Sequence, residues 1–480
     1  MDKEILVNEF LNRLDFSVCK LFKLEEKPFQ LFRHSLVACS RLIDYMFVAV
    51  GEDVFVYNLL PFSRDSNEPE PLIVLPCAHK SSPIQHGDLL PGMPNGINHI
   101  RCDLLGDLEY LITATDCGKV AMYDVKNLQR DPMTFSVGAS AWGIALSSER
   151  YLAISSNAHV INIFNLSTDY KQCKRDYRSP WFRQESLKLI EHQHNIPCVS
   201  FNSKGNLLLS GSIDRSLQLW DINKLSCLSK FHTKVWIWSV KFVDKFAFTF
   251  VPTVKDKIET LIPARTFGQT PWNPSVSLSL ESFISDEDDY DDDAVFEGEY
   301  YVHMHNESPD NLKSCFRTFV REPPEELFVF ATKYSVVLCG YHHSQIYPFV
   351  SCRNCFEDPS AIRFEGLHRI NMMEYVPQVQ SLVCATQSGQ LSILRLITTE
   401  KVISGQVVYA YSFIPQFITL NRYVDTLVLG MSVAPWYPGN EDEFQRFKIL
   451  LVLVNGQVLT VEIQLSEDSY ATSHVGNILI

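Results

Sequence analysis

The residues whose types and spacing most resemble a chemical site lie between positions 192 and 221. They comprise a histidine, two serines, two aspartates and a tryptophan, namely His192, Ser210, Ser212, Asp214, Trp220 and Asp221. A serine, a histidine and an aspartate could form the triad used in nucleophilic catalysis. The same groups could instead link an indole N–H to a turn aspartate through a histidine and one of the two serines. Because they fall inside short apolar-alternating runs with no sign of a cleft, we predict a structural network and no catalytic residue.

A second set of candidate ligands consists of Cys339 and His342, followed by Cys352 and Cys355. Thiolates and imidazoles separated by two residues resemble the half-sites of zinc-binding modules. The residues around Cys339, however, have the pattern of a β-strand, which directs successive side chains to opposite faces of its sheet. We therefore predict no metal site and no cofactor. The sequence also lacks a phosphate-binding glycine loop, a Gly-x-Ser-x-Gly elbow and a dinucleotide fingerprint, which favours a protein that is not an enzyme.

The elements that position residues 192–221 are three short strands with tight turns, the last strand ending in Trp-Asp. Such a unit cannot bury its own apolar faces, so it predicts further copies of itself. Weaker copies occur at 42–59, 97–128, 140–168, 235–350, 360–398 and 405–465. Together with the unit at 190–230, we take them as the blades of one ring. The pattern predicts an all-β fold, a seven-bladed WD40-type β-propeller.

The unit at 235–350 is interrupted by a long excursion. Strand-like runs at 236–251 and from 326 onward would form one split blade, whereas eight blades would result if the two runs belong to separate blades. We divide the chain into propeller at 1–254, an acidic disordered insertion at 255–312 and the remainder of the same propeller at 313–480. The run Phe16–Leu24 would supply the outer strand that closes the ring and removes an exposed sheet edge.

The insertion carries most of the unbalanced charge of the chain. Residues 279–301 contain ten acidic residues interleaved with aromatic and aliphatic ones, a composition that predicts disorder. The segment could be a solvated loop or a docking strip for a basic partner. Ser285 precedes an Asp-Glu-Asp run, the pattern favoured by acid-directed kinases, and Ser282 would fit that pattern once Ser285 is phosphorylated. Both serines are candidate phosphorylation sites.

Basic and aromatic residues alternate in the segment Tyr170–Phe182, between two predicted blades. The candidate partner contacts in it are Lys171, Lys174, Arg175, Tyr177, Arg178 and Trp181. Arginine and aromatic residues are enriched at protein-binding hot spots, and they could also stack on bases. An ordinary inter-blade loop, a protein-docking surface and a nucleic-acid contact are all open on residue grounds. We expect this loop and the acidic strip to form the contact surface.

Composition excludes several classes of function. The chain has 480 residues and a net charge of −14, but residues 266–312 hold twelve acids and no Lys or Arg, so the rest is nearly neutral. A general nucleic-acid-binding surface is therefore not indicated. The thirteen cysteines are scattered and predict free thiols in a reducing compartment. The start of the chain does not resemble a secretory signal, and no apolar run approaches the roughly 18 residues of a membrane span.

Two stretches resemble one particular group of proteins. Residues 136–166 and 194–221, above all Ala141–Gly143 and His194–Pro197, resemble a fungal WD-repeat family named for constitutive transcription of ribonucleotide reductase genes. The resemblance implies a regulator of ribonucleotide reductase gene transcription in the nucleus and cytoplasm. It also implies, as an alternative, a substrate-receptor subunit of a cullin-RING ubiquitin ligase. Adaptors of cullin-4-type ligases often carry Arg two residues after Trp-Asp, where this chain has Asn223 and, in a sister unit, Lys126.

These observations together predict a non-enzymatic WD-repeat protein-interaction scaffold. Its expected partners are other proteins, such as transcription regulators or the linker subunit of a cullin ligase. No direct contact with nucleic acid and no membrane association are expected.

Overall fold

The described part of the chain consists of β-strands arranged as seven sheets. The computed structural model describes residues 14–24, 33–59, 70–76, 96–148, 150–166, 186–244, 248–250, 319–320, 323–353, 355–356, 367–403, 406–418, 420, 427–435 and 446–465. Within these ranges, two short 3-10 helices occur at Val125–Asn127 and Pro377–Val379. No helix in the described ranges is long and apolar enough to cross a membrane.

We number the sheets as blades 1 to 7. Blade 1 contains β2 (Val37–Cys39), β3 (Tyr45–Val50), β4 (Asp53–Asn58) and β5 (Ile73–Leu75). Blade 2 contains β6 (Ile97–Leu105), β7 (Leu108–Thr115), β8 (Lys119–Asp124) and β9 (Met133–Ser136). Blade 3 contains β10 (Ala141–Leu146), β11 (Tyr151–Ser156), β12 (Ile161–Asn165) and β13 (Leu187–Leu189). Blade 4 contains β14 (Cys198–Phe201), β15 (Leu207–Gly211), β16 (Ser216–Asp221) and β17 (Ser226–His232).

The last three blades use strands that are distant in sequence. Blade 5 contains β18 (Ser239–Val243), β21 (Glu326–Ala331), β22 (Ser335–His342) and β23 (Gln345–Arg353). Blade 6 contains β24 (Ile370–Val376), β25 (Ser381–Thr386), β26 (Leu391–Ile403) and β27 (Gln406–Ile418), with β19 (Thr249–Phe250) and β20 (Phe319–Val320) added to it. Blade 7 contains β28 (Val428–Pro435), β29 (Arg446–Leu453), β30 (Gln457–Leu465) and β1 (Leu14–Lys23).

The first strands of successive blades close into a ring. They contact one another in the order β2, β6, β10, β14, β18, β24 and β28, and β28 contacts β2 again. The amino-terminal strand β1 pairs antiparallel with β30, from Leu14 opposite Leu465 to Lys23 opposite Gln457. A strand from the start of the chain thus completes the last blade, as the run Phe16–Leu24 suggested, and covers the edge of β30. The prediction of an all-β, seven-bladed propeller is confirmed.

The split blade differs in one detail from the sequence expectation. Strand β18 pairs with β21 from Ser239 opposite Ala331 to Val243 opposite Leu327, so the two runs belong to one blade. The end of the run at 236–251, however, does not supply the next strand of that blade, because its strand β19 pairs in parallel with β26 of blade 6. Strands β21 to β23 already fill the outer positions of blade 5. Residues 251–318, which include the whole of the predicted insertion at 255–312, lie outside the described ranges, and the domain boundaries remain predictions.

Apolar side chains fill the spaces between adjacent blades. Between blades 4 and 5, Leu209, Leu217 and Leu219 pack against Phe328 and Phe330, and all five are fully buried. Each large apolar side chain withdrawn from water in this way stabilises the fold by about 1.5–3 kcal/mol. The packed blades position the turns and loops that lie within the described ranges.

Candidate interaction site

A hydrogen-bond chain runs through the interior of blade 4. The indole Nε1 of Trp220 donates to Ser210 Oγ at 2.9 Å, and Ser210 Oγ lies 2.8 Å from His192 Nε2. His192 Nδ1 lies 2.8 Å from Asp214 Oδ2. Because an indole N–H can only donate, the Ser210 hydroxyl is suited to give its proton to Nε2, which leaves the Nδ1 proton facing Asp214. Ser210, and not Ser212, is therefore the serine that links the indole to the histidine.

The other residues of this set shape the turns beside the chain. Ser212 donates to the carbonyl of Asn195 at 2.9 Å and accepts from the Asp214 amide at 3.0 Å. Asp221 accepts from the amides of Asn223 at 3.0 Å and Lys224 at 3.1 Å, in the turn at the opposite end of β16. The structure thus brings His192, Ser210, Asp214 and Trp220 into one chain and places Ser212 next to it, whereas Asp221 lies apart.

The environment of this hydrogen-bond chain is that of a structural network and not of a catalytic site. The side chains of His192 and Asp214 are 1% and 7% exposed, and Ser210 is fully buried. Burial acts to raise the pKa of Asp214, but bonds from His192 and Ser216 outweigh it and hold that pKa well below its usual range. A buried hydroxyl that already accepts the Trp220 indole N–H is poorly placed to attack a substrate.

The cysteines considered for zinc do not converge. Cys339 lies in the apolar cluster between blades 4 and 5, whereas Cys352 and Cys355 lie in the cluster between blades 5 and 6. The alternation of side chains along β22 and β23 produces this separation. Among the described residues, no group of three or more His, Cys, Asp or Glu side chains is arranged to hold a metal ion.

Two sets of predicted residues fall outside the described ranges. These are the candidate partner contacts Lys171, Lys174, Arg175, Tyr177, Arg178 and Trp181, and the candidate phosphorylation sites Ser282 and Ser285. They remain predictions.

One end of the ring is built from the loops that enter the blades and the turns between second and third strands. These two kinds of segment are joined by backbone hydrogen bonds, from Asn157 to Ser140, from Ile213 to Asn195, from Ile237 to Ser212 and from Ile370 to Thr332. We call this end the upper face. The turns between first and second strands and between third and fourth strands lie at the opposite end, because neighbouring strands run antiparallel.

Aromatic and basic side chains gather on the upper face where blades 4, 5 and 6 meet. We call this set the basic–aromatic patch, and its members are Arg215, Lys234, Trp236, Trp238, Lys333, Tyr334 and Arg369. The rings of Trp236 and Trp238 meet edge to face with centroids 5.7 Å apart. The guanidinium of Arg369 lies 3.9 Å from the centroid of the Trp238 ring, a distance typical of a cation–π contact.

Local backbone bonds explain why the patch forms at this position. The amide of Trp238 donates to the Ala331 carbonyl at 2.9 Å, which fixes the loop before β18 against blade 5. In the neighbouring turn, Asp214 accepts from the Ser216 amide at 2.9 Å, and the residue between them, Arg215, takes a φ of +66°. A turn held by an aspartate side chain accommodates this left-handed conformation. Asp214 therefore points inward while Arg215 is exposed to solvent.

The positive charge of the patch belongs to its lysines and arginines. His368 lies between Tyr334, at a ring distance of 5.4 Å, and Ser388 Oγ, which is 2.9 Å from its Nδ1. Burial, together with the charge of Lys333, lowers the pKa of His368 to about 4, so this imidazole is neutral near pH 7. Lys234 and Arg215 are exposed, and Lys333 and Arg369 are half-buried.

The central channel carries a second group of charges, on the first strands of the blades. Lys241 Nζ of blade 5 lies 2.8 Å from Glu374 Oε2 of blade 6, and Arg101 Nε lies 2.9 Å from Asp103 Oδ2 within blade 2. Burial acts to raise the pKa of Glu374, but Lys241 and Arg101 outweigh it and lower that pKa to about 2. The channel contains a cavity of about 100 Å³, which has room for several water molecules.

Comparison with known proteins agrees with this architecture. The closed ring of four-stranded meanders and the Trp–Ser–His–Asp chain define this protein as a WD-repeat β-propeller. Residues 3–207 match the model of the CRT10 family. A WD repeat-containing protein of Schizosaccharomyces pombe is 56% identical over 480 residues, which cover all of both chains. The chain therefore belongs to a fungal, CRT10-type family of WD-repeat proteins, and the resemblance inferred from the sequence is confirmed.

Two further similarities are weaker, the first because it covers a smaller part of the chain and the second because its sequence identity is low. A WD40 repeat-containing protein of Dictyostelium discoideum is 33% identical over 150 residues, which are 31% of this chain and 21% of that protein. A chain in the crystal structure of the mitotic checkpoint complex aligns with a TM-score of 0.48 and 12% identity over 96% of both chains.

Neither the patch nor the channel charges are among the features predicted from the sequence. The alternation in β6, where His99, Arg101 and Asp103 follow one another at every second position, nevertheless indicates a polar face. The pair Trp236 and Trp238 was read only as part of a strand. The other members of the patch carry no local signal, because Lys333, Tyr334 and Arg369 join it only through the packing of blades 5 and 6.

Proposed function

We propose that this protein is a non-enzymatic scaffold that binds other proteins and takes part in regulating the transcription of ribonucleotide reductase genes. The match to the CRT10 family supports the regulatory role, since the resemblance noted in the sequence connects that family with these genes. The observation that carries the scaffold role is the basic–aromatic patch on the upper face. Tryptophan and arginine are the residues most enriched at the energetic centres of protein interfaces.

Two features support binding over chemistry. The Ser/His/Asp set of blade 4 is buried and already hydrogen-bonded to Trp220. In the channel, Lys241 is paired with Glu374, and Arg101 is paired with Asp103. Ion pairs of this kind offer no unpaired acid or base for proton transfer. A function in the nucleus and cytoplasm follows from the proposed regulatory role.

The regulatory role is tested by deleting the gene and measuring ribonucleotide reductase transcripts by quantitative reverse-transcription PCR. The family name leads us to expect that these transcripts rise when the protein is absent and return to normal when the intact chain is restored. Unchanged transcripts, both in growing cells and after DNA damage, would contradict the role.

The same strains allow the partners to be identified by affinity purification and mass spectrometry. Recovery of transcription regulators would support the proposal. Recovery of a cullin together with its propeller-type linker would instead favour a ligase substrate receptor, the role against which Asn223 and Lys126 argue.

A further inference from the structure

We propose that the basic–aromatic patch binds an acidic peptide segment of a partner protein, with an apolar residue of that segment packing against Trp236. This inference rests on the proposed scaffold function and specifies the partner by its chemistry. The ligand class is a short stretch rich in Asp and Glu that contains at least one large apolar side chain.

The charge of the patch is opposite to that of the chain that carries it. The protein has a net charge of −14, yet Arg215, Lys234, Lys333 and Arg369 bring four cations together at the junction of blades 4, 5 and 6. The neighbouring carboxylate of Asp214 partly offsets the charge of Arg215, but it is held inside the blade by His192 at 2.8 Å and is not itself exposed on the patch. Exposed charges act over about one Debye length, roughly 10 Å at moderate salt. A short acidic segment on the patch therefore experiences these cations more strongly than charges that lie farther away on the protein.

The backbone joins these side chains into one surface. The amide of Thr233 donates to the Arg215 carbonyl at 2.8 Å, so the segment bearing Lys234 and Trp236 is tied to the turn that presents Arg215. The amide of Ile370 donates to the Thr332 carbonyl at 3.2 Å, which places Arg369 beside the turn that carries Lys333 and Tyr334. Little conformational entropy is then lost when a ligand binds, because the surface is already ordered.

The aromatic part of the patch favours a peptide over a nucleic acid. Sequence-independent binding of single strands uses aromatic rings whose faces are open to stacking bases. Here Trp238 is only 9% exposed, and the Arg369 guanidinium lies over its ring. Trp236 meets Trp238 edge to face and is half-buried. This arrangement provides an apolar contact for one side chain rather than a platform for successive bases.

The proposal is tested by selecting peptides from a random display library on the immobilised full-length protein. We expect enrichment of peptides that combine several Asp or Glu residues with an aromatic or aliphatic residue. An enriched peptide is then synthesised with a fluorescent label, and its affinity is measured by anisotropy at low and moderate salt. A labelled single-stranded RNA is titrated in parallel.

Matched variants locate the binding surface. The double substitution Lys234→Glu and Lys333→Glu should weaken binding of the acidic peptide by about tenfold or more, because it replaces attraction by repulsion. The control Lys126→Glu and Lys204→Glu makes the same chemical change in turns of the opposite face and should leave the affinity unchanged. Trp236→Ala should weaken binding without changing its salt dependence, since it removes an apolar contact. Circular dichroism melting curves verify that each variant is folded.

Three results would overturn the inference. They are enrichment of neutral or basic peptides only, equal weakening by the control pair, and RNA binding that depends on Lys234 and Lys333 without any selected acidic peptide. These results leave the transcript measurement untouched. A normal transcript response without acidic-peptide binding would therefore retain the regulatory role and reject only the ligand class proposed for the patch.

Discussion

Single residues determine whether blade 4 keeps its geometry. Ser210 accepts the Trp220 indole N–H and lies within hydrogen-bond distance of His192 at the same time, so one hydroxyl satisfies two buried polar groups. The set of residues involved was predictable from the sequence, because a Trp-Asp ending, a turn aspartate and an upstream histidine recur in this type of blade. Which serine is used was not predictable, since both Ser210 and Ser212 are buried and only two positions apart.

Substitution of Ser210 by alanine should destabilise the protein. The Trp220 indole N–H and His192 Nε2 would lose their shared partner in a buried site, and an unsatisfied buried polar group costs about 1–3 kcal/mol. The free energy of unfolding, measured by urea denaturation, should fall by that amount. Ser226→Ala, at an exposed position of β17, is the control and should have little effect. Equal stabilities of the two variants would contradict the proposed structural role of the hydrogen-bond chain in blade 4.

Two imidazoles with lowered pKa values should make the stability depend on pH. Burial, with Arg101 contributing, lowers the pKa of His99 to about 4, and burial with Lys333 does the same for His368. Between about pH 6.5 and pH 4 the unfolded chain therefore binds protons that the folded chain does not, and stability falls as the pH falls through this window. His99→Gln should flatten this dependence, whereas His232→Gln, at an exposed position, should not. Urea denaturation at pH 7, 6 and 5 measures how the free energy of unfolding depends on pH. The same dependence in both variants would contradict the assignment of this effect to His99.

The elements of the fold were largely predictable because the strand–turn–strand unit repeats. Alternating apolar residues and Asn-Gly or Asp-containing turns indicate most inner strands, and the pairing of β1 with β30 follows from the need to cover an edge. The strand β19 was assigned to the wrong blade, since an apolar run does not specify which sheet it joins. The ionic contacts between elements were also missed, because Lys241 and Glu374 are distant in sequence and meet only when blades 5 and 6 are adjacent.

The contact between Lys241 and Glu374 should couple the first strands of these two blades. Removing one partner with Lys241→Met leaves Glu374 without the cation that lies 2.8 Å away, although Arg101 remains nearby, and we expect a loss of about 1–2 kcal/mol. This loss is smaller than for a fully buried pair, because the Glu374 side chain retains 33% exposure. The double variant Lys241→Met and Glu374→Met should recover part of this loss. Additive destabilisation in the double-mutant cycle would show that the two residues do not interact energetically.

At the scale of the whole molecule, the ring acts as a frame that brings side chains from separate blades to one surface. The basic–aromatic patch draws on turns and loops of blades 4, 5 and 6, and its members span from Arg215 to Arg369 in sequence. A repeat pattern predicts the frame, whereas a patch assembled across blades depends on the order and contact of those blades. This difference explains why the fold could be predicted in more detail than the interaction site.

The most direct test of the account is to measure ribonucleotide reductase transcripts in cells whose only copy of the protein carries Lys234→Glu and Lys333→Glu. We expect transcript levels like those of the deletion strain, with normal abundance of the variant protein, and normal transcript levels in cells carrying Lys126→Glu and Lys204→Glu. Normal transcripts in the Lys234 and Lys333 variant, alongside a clear effect of deletion, would contradict a functional role for the patch.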